Sequence, residues 1–519
     1  MVRVRPHPAP LALALAVVAN TVLLLSGSAA AAPSAGQTPM PSLAVAVAPS
    51  SLDAAMRLLL AEPSAPLREV SAEALNALQT YYAQTDYAPL WVGMEGLTQR
   101  GTELMTALTK ARDAGASALL PIMAAVDERR AATDLIARAE LELLLSGALL
   151  DAAVDTTDPT ESAAPVELLS AAIAASDMPS FLGGHLPPDE AFWHLRDAAA
   201  VYSDLAAAGG WPAVPGGPKL EMGKRDARIV AVRTRLAASG ELDGADGASA
   251  LYDTPLQRAI ERFQSRHGLQ ADGVIGPATL EALNVPVEVR LATMRANLRR
   301  LQQQGREWGD SYIAVNIAAA RYRLVDAGET IFEQVTIVGQ PDWQTPEVDS
   351  QIERIELNPY WTVPERIARM ELQPAIEKDP DYLAKHNMQE VGGFYRQEPG
   401  DDNALGKAKF LFPNPYDVYL HDTNSHRLFQ REGRFLSHGC VRIPNAVELA
   451  QLLLRNDPRW TREKIDAAIE LGRNRSITLK RPIPVHIVYD TAWVDESGAV
   501  EFRKDIYGRD SVLQVASTR

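Results

Sequence analysis

Residues 415–444, "PYDVYLHDTNSHRLFQREGRFLSHGCVRIP", hold the feature that decides how the rest of the chain is read. Strand alternation in "DVYLHD" places Val418 and Leu420 on one face and Tyr419 with His421 on the other. Nineteen positions after His421 comes Cys440, the only cysteine in 519 residues. His438 and Gly439 precede it, and Val441 and Arg442 follow. One cysteine cannot pair within the chain, so it is either an inert core thiol or a reactive one. A thiolate is the nucleophile, and a free thiol of ordinary pKa is largely protonated near neutral pH, so a reactive Cys440 needs a neighbouring imidazole.

Nine histidines are available. His7 lies in the N-terminal leader, and His185, His194 and His267 belong to other stretches. Of the remaining five, His386 and His486 carry no catalytic signal and His426 sits in a polar loop. His438 is close enough in sequence to shape the turn but awkwardly placed for direct proton transfer. His421, at a strand end beside the loop that leads to Cys440, is the expected general base. Zinc is the competing use of this residue set. It is disfavoured because there is no H-E-x-x-H pattern and because Cys440, His421 and His438 would need further ligands nearby.

Outward from this segment, the chain from about 310 onward reads as mostly β. "YIAVNI", "IFEQVTIVG", "DVYLHD" and "PVHIVYD" predict strands, while "NAVELAQLLLRN" and "REKIDAAIELG" predict helices. Residues 288–309 read as a connecting helix. Residues 226–287 form a compact unit in which Leu256, Ile260 and Phe263 follow helical spacing and Leu280 and Leu283 repeat it. Between them, Asp272-Gly273 and Gly276-Pro277 supply a turn and a helix start. Residues 51–225 are Ala- and Leu-rich with helical spacing, and "GGWPAVPGGP" at 209–218 breaks that pattern. Residues 33–50 predict a flexible linker, and 506–519 a C-terminal tail.

Arg3 and Arg5 before an apolar run from Leu11 to Leu25, followed by "GSAAAAPSAG", give residues 1–32 the layout of a secretory signal. Cleavage is expected within Ala29–Ala32, an uncleaved inner-membrane anchor being the alternative. The expected location is the periplasm. A net charge of −15 argues against nucleic acid as a partner. Beyond the leader no apolar run approaches membrane-spanning length, so a multi-span membrane protein is not expected.

Two resemblances sharpen this reading. "AIERFQSRHGLQADGVIGPATLEAL" resembles the three-helix peptidoglycan-binding module. "HDT" at His421 and "SHGCVR" at Ser437–Arg442 resemble the signature of L,D-transpeptidases of the YkuD catalytic type. The segments "ELNPYWTVP", "QEPGDDNALGKAKFLFPNPYDVYLHDT" and "YYAQTDYAPLWV" resemble the large periplasmic branch of that family. The implied fold class is multidomain α+β: a helical scaffold domain at 51–225, a peptidoglycan-binding module at 226–287, and a mostly-β catalytic domain at 310–505. Only Thr362–Arg396 separate Trp361 from Gln397, so the implied cap is short.

The resemblance implies catalysis by Cys440, His421, Gly439 and His438, with Gly439 and Cys440 N–H groups as oxyanion donors. It also implies substrate contacts from Tyr419, Arg442, Ser437, Trp361 and Asn403. A substrate carboxylate and a structural acid remain open as the partner of Arg442. The implied partners are peptidoglycan stem peptides and glycan, with carbapenems as covalent inhibitors and no cofactor or metal.

Overall fold

A computed structural model describes residues 49–153, 165–187, 189–242, 248–306 and 308–511. The expected leader and most of the linker fall outside the described residues, as do the last eight residues of the tail. No helix among the described residues is long and apolar enough to cross a membrane.

The first half is helical, as its spacing predicts. Eight helices of eight residues or more run from Leu52 to Ala207, and the longest, Leu135–Ala153, is buried nearly all round. A helix apolar on all faces belongs at the centre of a bundle, and this one is packed by its neighbours Leu52–Ala61, Ala72–Gln84 and Leu119–Arg129. The region 226–287 contributes helices Arg228–Ala238, Thr254–Arg266 and Pro277–Leu283, capped by Asp253 at the second and by Pro277 in the first turn of the third.

The "GGWPAVPGGP" segment ends the helical pattern and also packs into the unit that follows. Val214 and Leu220 are buried in the core of the three-helix module, Trp211 stacks under the Arg235 guanidinium at 3.6 Å, and Leu220 bridges Ile275. Its prolines and glycines end the scaffold helix, but its apolar side chains are claimed by the module, which therefore begins before residue 226.

The region from 310 onward is built on an eight-stranded sheet in the order 441–442, 420–421, 408–411, 348–357, 475–488, 312–316, 321–326, 329–335. Strand Leu420–His421 runs parallel to Val441–Arg442 and antiparallel to Ala408–Leu411. One face of the sheet is apolar and covered by helices Ala446–Leu454 and Arg462–Glu470 through Ile355, Phe410, Leu420, Val441 and Ile465. The other face at the 408–442 edge carries the polar residues. The short cap forms its own three-stranded sheet from 361–362, 394–397 and 388–391, with a small core of Val363, Ala368 and Leu372.

Residues 492–502, expected within the catalytic domain, instead form a hairpin whose Ala492, Val500 and Phe502 join the scaffold core. Arg266 of the module donates to the Val500 carbonyl at 2.8 Å, and Arg503 returns a bond to the Arg266 carbonyl at 2.9 Å. The hairpin thus fastens three domains together.

Candidate active site

The chain reverses at Asp417, whose φ of +55° lies in the left-handed region, and then enters the short strand bearing His421. Alternation does the rest. Val418 and Leu420 are buried in the core, while Tyr419 and His421 share the opposite face with their rings 5.5 Å apart. The neighbouring strand is locked in register by Val441 N–H to the Tyr419 carbonyl at 3.2 Å and Ile443 N–H to the His421 carbonyl at 2.8 Å. Val441 points into the core, so Cys440 and Arg442 point the other way. Four side chains thus stand as two adjacent pairs on one face: Tyr419 with His421, and Cys440 with Arg442.

His421 is buried, and its Nδ1 lies 2.5 Å from the Asp422 carbonyl oxygen. A carbonyl only accepts, so Nδ1 carries the proton and Nε2 keeps a free lone pair. Burial, the Arg442 guanidinium and the Lys409 ammonium push its pKa down to about 3 despite the bond to Asp422. The imidazole is therefore neutral at physiological pH, the form a general base requires. Cys440 is half-buried. Burial raises its thiol, and a Tyr419 backbone bond, Lys409, the Tyr419 hydroxyl and Arg442 all act to lower it.

The Ser-His-Gly-Cys turn is held by its own groups. The Ser437 hydroxyl donates to the Cys440 carbonyl at 2.6 Å and accepts the Gly439 N–H at 3.2 Å. Gly439 has φ +112°, a region costly for any residue with a Cβ, and its carbonyl accepts from Thr345 Oγ1 at 2.8 Å. The Gly439 N–H is therefore spent on Ser437, which corrects its expected role as an oxyanion donor and leaves the Cys440 N–H and the Tyr419 hydroxyl for that task. His438 points away from the thiol toward the cap, where its Nε2 meets Glu371 at 2.6 Å and its ring packs edge-on against Trp343 at 4.7 Å.

Two expected substrate contacts are placed elsewhere. Asn403 is buried with its amide committed to backbone: Nδ2 donates to the Pro359 and Glu398 carbonyls, and Oδ1 accepts the Leu405 N–H at 2.8 Å. It holds the loop before strand Ala408–Leu411. Trp361 packs on the cap's small core. Both sit in motifs whose rigidity carries the site, which is why a motif reading marks them.

Lys409 is the residue that sequence reasoning missed. It is the register partner of His421, and its Nζ lies 4.0 Å over the Tyr419 ring. The signal was present in "GKAKFLF", where alternation puts Lys409 on the face opposite to Ala408 and Phe410, but only sheet pairing brings that face to the thiol. Among the described residues, no group of three or more His, Cys, Asp or Glu is arranged to hold a metal ion.

Comparison with known proteins agrees with this construction. Residues 310–464 match the L,D-transpeptidase catalytic domain (YkuD), residues 225–283 the "Putative peptidoglycan binding domain", and residues 76–198 the Scaffold domain. A Haemophilus influenzae protein named "Putative L,D-transpeptidase" is 32% identical over 224 residues, covering 39% of this chain and 45% of that protein. The chain thus matches less than half the length of that relative. Among solved structures, an L,D-transpeptidase from Stackebrandtia nassauensis aligns at 14% identity over 54% of this chain and 97% of that one, with a TM-score of 0.23. One from Xylanimonas cellulosilytica aligns at 15% identity over 53% and 99%, with a TM-score of 0.19. The chain carries an L,D-transpeptidase catalytic domain of the YkuD type, together with a scaffold domain and a peptidoglycan-binding domain.

Proposed function

We propose that this protein is a periplasmic L,D-transpeptidase that forms 3-3 cross-links in peptidoglycan through a thioester on Cys440. The observation that carries the proposal is the shared sheet face of Cys440, Tyr419 and a neutral His421 whose Nδ1–H is tied to the Asp422 carbonyl. His421 Nε2 takes the thiol proton, and the sulfur attacks the carbonyl of the L-configured centre of a tetrapeptide stem. The C–N bond to the terminal D-alanine breaks, and His421 returns the proton to the departing nitrogen. The Cys440 N–H and the Tyr419 hydroxyl are the groups placed to receive the oxyanion. An amine from a neighbouring stem then displaces the thiolate, with His421 taking its proton. The peptidoglycan-binding module raises the local concentration of wall substrate. Export on the signal-like residues 1–32 puts this chemistry in the periplasm.

Water as acceptor would make the same site an L,D-carboxypeptidase, and a lipoprotein amine as acceptor would make it an attachment enzyme. D-Alanine release with and without an added stem amine separates transfer from hydrolysis. Transfer predicts a cross-linked product whose yield rises with amine, and release unaffected by amine with no such product overturns it. Intact-protein mass spectrometry with a carbapenem should add one mass, mapped between Phe435 and Arg442.

A further inference from the structure

Between the scaffold and the sheet lies a cavity of about 370 Å³ that shares no lining residue with the catalytic face: Cys440, Tyr419, His421 and Lys409 are all outside it. Ligand sites form preferentially where domains meet in this way. Strand alternation sets its floor. Ile313, Val315, Tyr322 and Leu324 point into the core, so Ala314 and Arg323 point the other way, in a row that runs His486, Ala314, Arg323, Glu333 across four strands. Ala314 is the smallest side chain of that row and leaves a gap beside the guanidinium. Trp308 lies nearly parallel to the His486 ring at 4.6 Å, and the start of helix Glu190–Ala207 adds the scaffold's share of the lining.

Most charges around the cavity are committed. Arg306 holds Asp490 in a bidentate pair at 2.6 and 2.8 Å. Glu333, although the register partner of Arg323, turns its carboxylate to Arg321 at 3.4 Å, and Glu190 faces His194 at 3.7 Å. Two charges are left over. Asp189 uses one oxygen to cap its helix, Oδ1 accepting the Ala191 N–H at 2.9 Å, while Oδ2 is buried with no hydrogen-bond partner. Arg323 makes no ion pair among the described residues, and its hydrogen bond to the Tyr312 hydroxyl is long, at 3.4 Å.

A buried carboxylate oxygen and a guanidinium without an acid are costly unless a further group completes them. The Arg306 charge also acts on Asp189, but Asp189, Glu190 and Asp490 together outnumber it, so the scaffold end of the cavity is acidic. The sheet end is basic, with Arg321 and Arg323 against Glu333. A lone cation or a lone anion would complete one end and leave the other. A molecule that carries both charges completes the two together.

We propose that this cavity binds an α-amino acid centre, with its ammonium toward Asp189 Oδ2 and its carboxylate on the Arg323 fork. Arginine suits the second task because its planar guanidinium takes a carboxylate in bidentate fashion. Two sources present this chemistry to the enzyme: the D-alanine released by the proposed reaction, and the amine-bearing end of a wall stem peptide. The ligand class rests on the cavity, whereas both sources rest on the transpeptidase reading.

The test is equilibrium dialysis of the full chain carrying Cys440→Ala, which cannot turn over, against labelled D-alanine and, separately, a synthetic stem tetrapeptide with its amine free. Asp189→Asn keeps the helix cap and removes one charge, and Arg323→Gln removes the other. Each should weaken binding about 30-fold or more, the scale of removing one partner from a buried charge pair. Ala314→Leu, which fills the floor and leaves both charges in place, should block binding as well. N-acetyl-D-alanine and D-alaninamide, each lacking one charge, should fail to compete. Binding of D-alanine supports the assignment with free product as the source, and binding of the tetrapeptide alone supports it with the wall stem as the source. Absence of binding by both ligands, or binding that survives all three cavity substitutions, overturns it. A wild type that neither releases D-alanine from stems nor forms a carbapenem adduct, in a chain whose cavity still binds, overturns the transpeptidase reading and leaves the site standing.

Discussion

Two charged side chains in this molecule are treated in opposite ways. Glu142, fully buried in the central scaffold helix, accepts the Tyr82 hydroxyl at 2.7 Å and the backbone N–H groups of Leu90, Trp91 and Val92 at 2.7, 2.9 and 2.8 Å. Tyr82 and Trp91 in turn share Ser146, each at 2.7 Å. Every bond that carboxylate can use is made, and the result is a rigid joint between the segment that follows helix Ala72–Gln84 and the core helix Leu135–Ala153. Arg442 sits at the opposite extreme: it is half-buried and held by its backbone, its Nε has no hydrogen-bond partner, and no acid pairs with it among the described residues. Stability selects for satisfied polar groups, and binding requires unsatisfied ones. The contrast separates structural from functional charges without any reference to relatives.

That contrast can be broken in several ways. The largest effect is expected at the nucleophile. Cys440→Ser should lose the carbapenem adduct altogether, because a hydroxyl gains too little from one neutral imidazole to become a nucleophile. An adduct retained by the serine variant would return Cys440 to an inert packing role. His421→Ala should lower acylation by about 100-fold or more at neutral pH, with partial recovery at high pH where solvent base forms the thiolate. If His438→Ala gave that pattern instead, the two roles would have to be exchanged.

On the scaffold side, Glu142→Ala strands three buried N–H groups and a tyrosine hydroxyl. Denaturant unfolding should show a loss of about 3 kcal/mol or more, with Cys440 chemistry unchanged in the protein that remains folded. A neutral result would show that the joint is not a stability element.

His421 also predicts a pH signature. Its folded pKa of about 3 lies below the ordinary value of 6.5, so between these limits the unfolded chain binds a proton that the native state refuses. Stability therefore falls as pH drops below 6.5, by roughly 1–2 kcal/mol at pH 5 from this residue. A His421→Gln protein should lack that part of the acid limb, and identical pH profiles for the two would contradict the burial of a neutral imidazole.

The smallest effect is expected at Lys409. Thiolate absorbance near 240 nm reads Cys440 alone, since the chain has one cysteine. Lys409→Met removes a cation that favours the thiolate, so the titration should move to higher pH. Lys409→Arg should leave it nearly in place, and an unmoved midpoint in the methionine variant would show that Glu356 alone claims the charge.

How much of this was legible follows from the range of each interaction. Periods of 2 and 3.6 are local, so the helical scaffold, the helices around Phe263, the strand carrying Tyr419 and His421 and the turn before Cys440 could all be read from spacing. The candidate pairing of one thiol with a histidine nineteen positions away was equally visible, because a single connection joins the two adjacent strands that carry them. Pairing between strands distant in sequence left no such trace. Lys409 reaches the site only because strand Ala408–Leu411 lies next to His421. Asn403 looked like a substrate contact until its three backbone partners appeared. The hairpin at 492–502 joined the scaffold core although it follows the catalytic strands in sequence.

The sequence by itself carried the domain order and brought forward Cys440 and His421 as the candidate nucleophile and base, since each depends on residue type and near neighbours. The tertiary structure alone decided which polar groups are spent and which are free. It gave the Gly439 N–H to Ser437, turned His438 to Glu371 and left the Arg442 Nε without a hydrogen-bond partner. The physical reason is that hydrogen-bond satisfaction is a sum over everything within about 3 Å of an atom, and most of what lies that close in a folded chain is far away along it.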